Sequence, residues 1–343
     1  MNILVKDRGA AVDFRLGIVG TGLIVAGSHL PAALGCPGVK VTLLVDQVVE
    51  RAQKLAQAYS FNPKVCRSIS EGLDSVDGFI IATPNSTHCE LALQCIDAGK
   101  HVLIEKPLAN TATEGESIKR AAEARNVVVA VGFCTRFRNN VQMLHRLLKD
   151  NYFGRVTRFV HQFGTPGGWA PLSGYTLNRQ SSGGGSLIVT GSHFLDRMIH
   201  FWGMPETCSL ADDGLDGPEA NCVARFSYSG LTGMARYSKT GRLPGGLVIE
   251  AERGVVVLKD TDDAFIEFHP RAWPSLCETI RLQPEPPQAD VFQLQILDFV
   301  HACRTSGQVM VDIQQGLQSL RLTEMLYTNR SRLQERWYAE ASE

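Results

Sequence analysis

Short apolar runs alternate with amphipathic helical stretches over about the first 130 residues. This alternation is typical of a parallel sheet whose strands are joined by crossover helices. Strands are predicted at 14–19, 40–45, 78–82, 101–104 and 127–131. A helix is predicted at 87–98, where Thr87 and Glu90 have capping-box spacing and Gly99 follows the last helical residue.

After about residue 134 the pattern changes to longer amphipathic strands, which predict a mostly antiparallel sheet with one covered and one more open face. These strands are predicted at 155–163, 220–230, 231–240 and 245–258. Flanking helices are predicted at 187–202, 288–304 and 313–328. The linker-like stretch QPEPPQ at 283–288 is a lid or a surface loop, of which the loop is favoured.

The predicted fold class is α/β. A doubly wound Rossmann sheet is expected in residues 1–133, and an α+β domain with a large, mostly antiparallel open sheet in residues 134–343. The last helix is expected to pack back toward the first domain.

Composition narrows the class of partner. The 343 residues include 34 Lys and Arg against 35 Asp and Glu, so no net field favours nucleic acid or an anionic membrane. Nine cysteines without a CxxC pair argue against a disulfide framework or a zinc site. The charged N-terminus lacks a signal-peptide core, and no segment reaches the roughly 18 apolar residues of a membrane span. A cytoplasmic protein with a small-molecule partner is expected, with no metal.

A glycine-rich turn follows the first predicted strand in GIVGTGLIVAGSHL. Gly20 and Gly22 match the first two glycines of GxGxxG: one allows the tight turn and the other lets a pyrophosphate approach the backbone. Leu23 and Ile24 open the helix and are expected to contact the cofactor. Val25 replaces the usual third small residue, so it should push the helix outward slightly or be accommodated by small neighbours.

Asp46 ends the second predicted strand, 24 residues after Gly22, where a carboxylate can accept hydrogen bonds from the adenosine ribose. It can also cap the helix that follows, and the two roles are compatible. Since Asp46 would repel a 2′-phosphate and no Arg or Lys follows before Arg51, NAD is preferred over NADP.

Five further segments occur in an order that resembles one enzyme family. They are IATPNSTH (81–88), GKHVLIEKPLA (99–109), VGFCTRF (131–137), GGGSLIVTGSHFLD (183–196) and GLQSLRLTEMLYTN (316–329). With them the chain resembles the family of glucose-fructose oxidoreductase, inositol dehydrogenase and MocA (Gfo/Idh/MocA). The resemblance implies an NAD(P)-dependent dehydrogenase or reductase acting on CH–OH groups.

The resemblance also implies a set of site residues. The cofactor groove is expected to be lined by Thr83, Pro84, Asn85, His88, Glu105 and Lys106. Lys106 is expected to enter the active site, although composition alone favours a surface lysine. Pro107 would follow a cis peptide bond.

His193 is the second candidate catalytic residue. Hydride transfer at an alcohol carbon needs a proton transfer at oxygen, which an imidazole can supply. Many relatives place an acid four residues earlier, where this chain has Val189. The alternative for His193 is a packed core histidine; Asp196 and His200 are interpreted as structural.

Arg136 either binds a substrate hydroxyl or carboxylate or pairs with an acid. In the loop at 161–182, Trp169, Tyr175 and Arg179 suit a sugar, or merely hold a connection together. Tyr175 is also an alternative proton donor.

The predicted reaction interconverts a secondary hydroxyl and a ketone on a sugar, sugar derivative or cyclitol, with hydride exchanged with NAD. Two alternatives remain open: a redox-neutral glycosidase or epimerase that retains NAD, and a non-catalytic dinucleotide- or ligand-binding protein that lacks the acid at Val189. The resemblance further implies that residues 1–133 bind NAD(P), that residues 134–343 bind the substrate, and that the C-terminal sheet joins copies into a homodimer or homotetramer.

Overall fold

The computed structural model describes residues 12–167, 174–215, 217–260, 262, 264–281 and 290–334. Its first sheet has six parallel strands in the order β3-β2-β1-β4-β5-β6. The strands are β1 Phe14–Val19, β2 Val39–Val45, β3 Lys64–Cys66, β4 Gly78–Ile81, β5 His101–Ile104 and β6 Val129–Val131. The strand order reverses between β1 and β4, and ligands bind beyond the carboxyl ends of strands at such a point.

Helices cover both faces of this sheet, and apolar residues are buried on each side. The helices of the chain are α1 Leu30–Leu34, α2 Val49–Ala58, α3 His88–Asp97, α4 Ala112–Arg125, α5 Asn139–Lys149, α6 Arg179–Ser182, α7 Ser192–Trp202, α8 Val291–Thr305 and α9 Ile313–Thr328. Helix α9 has the predicted bounds and starts at a capping box formed by Asp312 and Gln315.

The second sheet has nine strands in the order β14-β13-β12-β11-β7-β10-β9-β8-β15. They are β7 Val156–Gly164, β8 Thr207–Asp212, β9 Asn221–Tyr228, β10 Leu231–Ser238, β11 Leu243–Ala251, β12 Gly254–Lys259, β13 Phe265–Pro270, β14 Glu278–Arg281 and β15 Arg330–Arg332. Only the β7–β10 and β8–β15 pairs are parallel among these strands of the described chain. The predicted fold class, a Rossmann sheet followed by a mostly antiparallel sheet, is confirmed.

Helix α7 lies on the covered face of the second sheet, where Phe194, Leu195 and Met198 join its apolar core. Helix α8 instead packs against the first sheet through Ile296, Phe299 and Val300.

Helix α9 contributes to both cores, with Leu317 and Leu320 against the first sheet and Leu322 and Leu326 against the second. The division into residues 1–133 and 134–343 remains a proposal. Helices α8 and α9 belong to the second of these segments but also pack against the first sheet.

Three local predictions differ from the structure. The pattern at 245–258 is a hairpin, because Glu252 and Arg253 form a turn and Gly254, at φ +157°, starts β12 beside the backbone of β13. The capping box at Thr87 does not form: its hydroxyl donates to the Pro84 carbonyl. Strands β3, β8, β13, β14 and β15 were missed.

Gly99, at φ +70°, ends the α3 segment as predicted. The stretch 283–288 lies outside the described residues. Among the described residues, no helix combines the length and the apolar character needed to cross a membrane.

Candidate active site

The turn after β1 has the geometry that a dinucleotide requires. Gly20 has φ +89°, and a Cβ there would lie 2.6 Å from the Ala82 carbonyl oxygen, so the turn itself demands glycine. A Cβ on Gly22 would instead meet nothing within 4 Å. This open space in front of a helix N-terminus fits a pyrophosphate group.

The helix after the turn begins at Leu23 and contains a π-helical segment, Val25–His29, before α1. Leu23 and Ile24 are 61% and 41% exposed, so these apolar side chains stand open beside the glycine turn. Val25 is fully buried in the first core, so the larger third residue is accommodated within the packing.

Asp46 ends β2 and its carboxylate faces the glycine turn. Oδ2 accepts hydrogen bonds from the Thr21 backbone N–H at 2.9 Å and from its hydroxyl at 2.6 Å, while Oδ1 accepts from the Val48 N–H at 2.8 Å. This last bond closes a turn before α2, whose N-cap is Val48 without a side-chain cap, so the predicted capping role of Asp46 is not found. Each carboxylate oxygen has a further lone pair, so a ribose hydroxyl can still donate to it.

The segment after β4 forms the opposite wall of the switch point. Asn85 is buried and donates from Nδ2 to the Ser182 carbonyl at 2.7 Å, which joins the first domain to the second. His88 is fully buried, with its ring nitrogens 2.9 Å from the Thr83 and Pro107 carbonyl oxygens. His88 therefore connects the loops after β4 and β5.

Glu105, at the end of β5, pairs with a residue that the sequence interpretation missed. Its Oε1 lies 2.6 Å from Nε2 of His29, and Oε2 accepts from the Lys106 N–H at 3.0 Å. Burial raises the pKa of Glu105, but the interactions with His29 and Lys106 together outweigh it, so the pKa is lowered overall. Glu105 is therefore a carboxylate held by a histidine from the segment after the glycine turn.

Lys106 follows β5 and contacts the helix that carries His193. Its Nζ donates to the backbone carbonyl of Val189 at 2.9 Å, in the first turns of the helix that carries His193. The Lys106–Pro107 peptide is cis. Its ammonium has two more N–H donors, which can face a ligand.

The pKa values of Lys106 and His193 are both lowered in this arrangement. Burial lowers the pKa of Lys106, against the opposing charge of Glu105. Burial, followed by the charge of Lys106 and those of Arg197 and Arg138, lowers the pKa of His193 well below its usual 6.5. A neutral imidazole and an ammonium of reduced pKa thus lie close together.

His193 is half-buried and packs edge to face against Phe133 of the first domain, with ring centroids 6.1 Å apart. Its Nδ1 is buried and has no hydrogen-bond partner among the described residues. The ring is therefore not a core histidine with satisfied nitrogens.

Glu219, also missed from the sequence, holds the start of the His193 helix. Its carboxylate accepts from the N–H groups of Gly185 at 3.0 Å and Leu187 at 2.9 Å and from the Tyr327 hydroxyl at 3.0 Å. A Cβ on Gly185 would collide with the Glu219 backbone. A buried anion at a helix N-terminus satisfies unpaired N–H groups and the helix dipole.

Arg136 pairs with Asp196 rather than standing open to the site. Its Nε and Nη2 donate to the Asp196 carboxylate at 2.6 and 2.9 Å, and both residues are almost completely buried. Of the two roles left open for Arg136, this geometry provides the ion pair; substrate contact stays a prediction. Asp196 is structural, with Arg136 as its partner.

Of the three candidate residues of the loop at 161–182, Tyr175 and Arg179 have different surroundings. Tyr175 is close enough to Glu105 for that charge to add to burial in raising the Tyr175 pKa. Arg179 lies over the Tyr327 ring, 4.8 Å from its centroid, and the hydroxyl of that ring donates to Glu219. Trp169 lies outside the described residues.

Comparison with known proteins relates the first sheet to one family. Residues 14–133 match the GFO_IDH_MocA model, described as an oxidoreductase family with an NAD-binding Rossmann fold. Over these residues the chain is similar to this family. Curated relatives that are dehydrogenases support NAD(P)-dependent oxidoreductase activity.

The chain is also similar to curated relatives, and its fold to that of solved structures. The chain is 26% identical to scyllo-inositol 2-dehydrogenase (NADP(+)) IolW of Bacillus subtilis over 278 residues, 78% of this chain and 72% of that protein. D-glucoside 3-dehydrogenase of Escherichia coli is 29% identical, over 60% of this chain and only 58% of its own length. A levoglucosan dehydrogenase complex with NADH and levoglucosan has the same fold, with TM-score 0.82, 19% identity and 92% and 97% of the two chains covered.

Proposed function

We propose that the protein is an NAD-linked dehydrogenase or reductase that interconverts a secondary hydroxyl and a ketone on a sugar, sugar derivative or cyclitol. The observation that carries the proposal is the hydrogen bond from Lys106 to Val189, which brings an ammonium from the Rossmann domain against the helix that carries His193. The relatives named above act on an inositol and on glucosides, which supports the substrate class.

The glycine turn, the exposed Leu23 and Ile24, and Asp46 would hold the dinucleotide. When bound, it supplies the hydride acceptor for oxidation or the hydride donor for reduction. NAD is favoured over NADP because the Asp46 carboxylate lies at the glycine turn, where it would repel a 2′-phosphate.

In the oxidation direction, Lys106 donates a hydrogen bond to the substrate hydroxyl oxygen and fixes it in the site. His193 accepts the hydroxyl proton on its imidazole while the carbon–oxygen double bond forms and the carbon loses its hydride. In reduction, the protonated imidazole returns that proton to the carbonyl oxygen. Tyr175 and Arg136 remain candidate substrate contacts.

Homo-oligomerisation through the open face of the second sheet is part of the proposal. Met234, Val160, Val248 and Val257 lie in register across β10, β7, β11 and β12, and none of them is buried. An apolar row across four strands favours burial against a second copy.

The test is a screen of sugars, cyclitols and keto-sugars with NAD and NADP, with NADH absorbance as readout, on wild type and Lys106→Met. The dehydrogenase proposal is supported if the wild type turns over a substrate and the Lys106→Met variant does not. Chemical change of a sugar without net NADH, together with dinucleotide retained on purification, would indicate the redox-neutral alternative. Absence of turnover in both would favour the binding-protein alternative.

A further inference from the structure

A second lysine lies on the same side of the second sheet as the catalytic pair. Lys239 follows β10, but its backbone continues the ladder on both sides: its N–H donates to the Ala220 carbonyl, and its carbonyl accepts from the Gly167 N–H, each at 2.9 Å. It therefore has the side-chain alternation of a strand residue, and shares a face with Tyr237 two positions earlier.

That face is directed at the helix that carries His193. The Tyr237 ring is fully buried against Gly191, where an added Cβ would lie 2.7 Å from it. Gly191 lies two residues after Val189, which binds Lys106, and two before His193. Lys239, next along this face, consequently reaches the same site from the sheet side.

Electrostatics agree with this placement. Burial lowers the pKa of the half-buried Lys239, and the charge of Lys106 lowers it further. Two ammonium groups that repel each other thus share one site.

The acids around the site already have partners. Glu105 pairs with His29, and Asp196 with Arg136. Asp260 accepts from Arg197 at 3.0 Å and lies 3.0 Å from His161.

The lysines contrast with these acids. Lys106 donates only to a backbone carbonyl, and Lys239 has neither an acid nor a hydrogen-bond acceptor for its ammonium within the described ranges. From Ser186 to His193, moreover, the helix contains no acid.

We propose that Lys239 and Lys106 form an anion subsite, and that the substrate is a sugar or cyclitol carrying a carboxylate or phosphate group. The anionic group binds Lys239, while Lys106 keeps its role at the reacting oxygen. An ammonium left without a counterion in a half-buried site gains most from a charged ligand. This inference rests on the proposed function, whose hydride chemistry it leaves unchanged.

Calorimetric titration of the NADH-loaded protein with D-glucose, D-glucuronate and D-glucose 6-phosphate tests the subsite without requiring turnover. The expected result is binding of at least one anionic sugar about tenfold or more tighter than glucose, the size of effect that a charge-assisted hydrogen bond provides. Which anionic sugar binds tighter distinguishes carboxylate from phosphate.

The same titrations on variants locate the effect. Lys239→Met should abolish the preference for the anionic sugar, Lys239→Arg should retain most of it, and the exposed control Lys149→Met should leave it unchanged. Equal binding of charged and neutral sugars, no binding of either anionic sugar, or a preference that survives in Lys239→Met would overturn the subsite.

The proposed function has a separate readout. If the wild type forms NADH from a neutral sugar but shows no preference for anionic sugars, the dehydrogenase proposal stands and the subsite proposal is wrong. Lys239-dependent anion binding without NADH formation from any sugar retains the subsite and contradicts the dehydrogenase.

Discussion

The Lys106 ammonium donates a hydrogen bond to the Val189 carbonyl over 2.9 Å, four residues before His193. The Val189 side chain is apolar, yet its backbone carbonyl still holds the lysine on the helix that carries the imidazole. The chain thus keeps the two nitrogen groups together without a carboxylate at position 189.

The glycine turn provides a matched pair of variants. Gly20→Ala should lower the free energy of unfolding by about 1–3 kcal/mol, because φ is +89° and the new Cβ would meet the Ala82 carbonyl. Gly22→Ala should change stability by less than about 1 kcal/mol, since its Cβ enters open space.

Gly22→Ala should nevertheless weaken NADH affinity by about tenfold or more, because the methyl group would occupy the approach of the pyrophosphate. Chemical denaturation and NADH fluorescence titration measure the two effects. NADH affinity at the wild-type level in Gly22→Ala would contradict the proposed cofactor position.

Asp46→Asn tests the cofactor preference. Removing the negative charge keeps the side-chain shape near Thr21 and Val48 but removes repulsion of a 2′-phosphate. The ratio of the Kd for NADP to the Kd for NAD should fall by about tenfold. The exposed control Asp74→Asn should leave the ratio unchanged, and a wild type that prefers NADP would refute the assignment.

His193 predicts the shape of the pH profile. Its pKa lies well below 6.5, so the imidazole is a neutral base at neutral pH. Oxidation needs that neutral form, so kcat/KM should fall only as the pH drops through this lowered pKa. It also needs charged Lys106, so kcat/KM should fall again as the pH rises through a pKa below 10.5.

Steady-state kinetics across pH with the sugar found in the screen measure both limbs. His193→Asn should remove the acid limb, while the control His200→Asn, whose wild-type imidazole stacks on His145, should keep it. An acid limb that persists in His193→Asn would show that another group accepts the proton.

Glu219 is predicted to be a positioning residue for the His193 helix. Glu219→Gln replaces one acceptor oxygen by a donor facing backbone N–H groups, so unfolding should cost about 1–3 kcal/mol less than in wild type. Tyr327→Phe, which removes one hydroxyl donor to the same carboxylate, should have a smaller effect.

Denaturation together with kcat and NADH affinity distinguishes positioning from a general loss of fold. In Glu219→Gln, kcat should fall while NADH affinity is kept, because the carboxylate contacts the second-domain helix and not the glycine turn. Unchanged kcat in this variant would leave Glu219 with a stabilising role only.

Much of the fold was predictable because residues that form turns, end strands or cap helices lie next to the elements that they bound. Gly20 marks a turn, Asp46 ends a strand and Asp312 caps a helix, and each of these signals lies within a few residues of the element that it bounds. The pattern at 245–258 misled because Glu252 and Arg253 interrupt an apolar alternation that continues on both sides.

The residues that pair with the site residues could not be predicted from such local signals. His29 meets Glu105 across 76 residues, and Glu219 meets Tyr327 across 108. Neither pair has a local pattern, because each is created by the crossing of elements in the folded chain. Arg136 had two open roles for the same reason: only the packing of α7 brings Asp196 to it.

A crystal structure of the NADH complex tests the central claim most directly. The account predicts that the nicotinamide lies at the carboxyl edge of β4 and β5, with the Lys106 ammonium and the His193 imidazole both facing its C4 across one cavity wide enough for a substrate carbon. A nicotinamide directed away from these two nitrogens, or a cavity that admits only one of them, would contradict it.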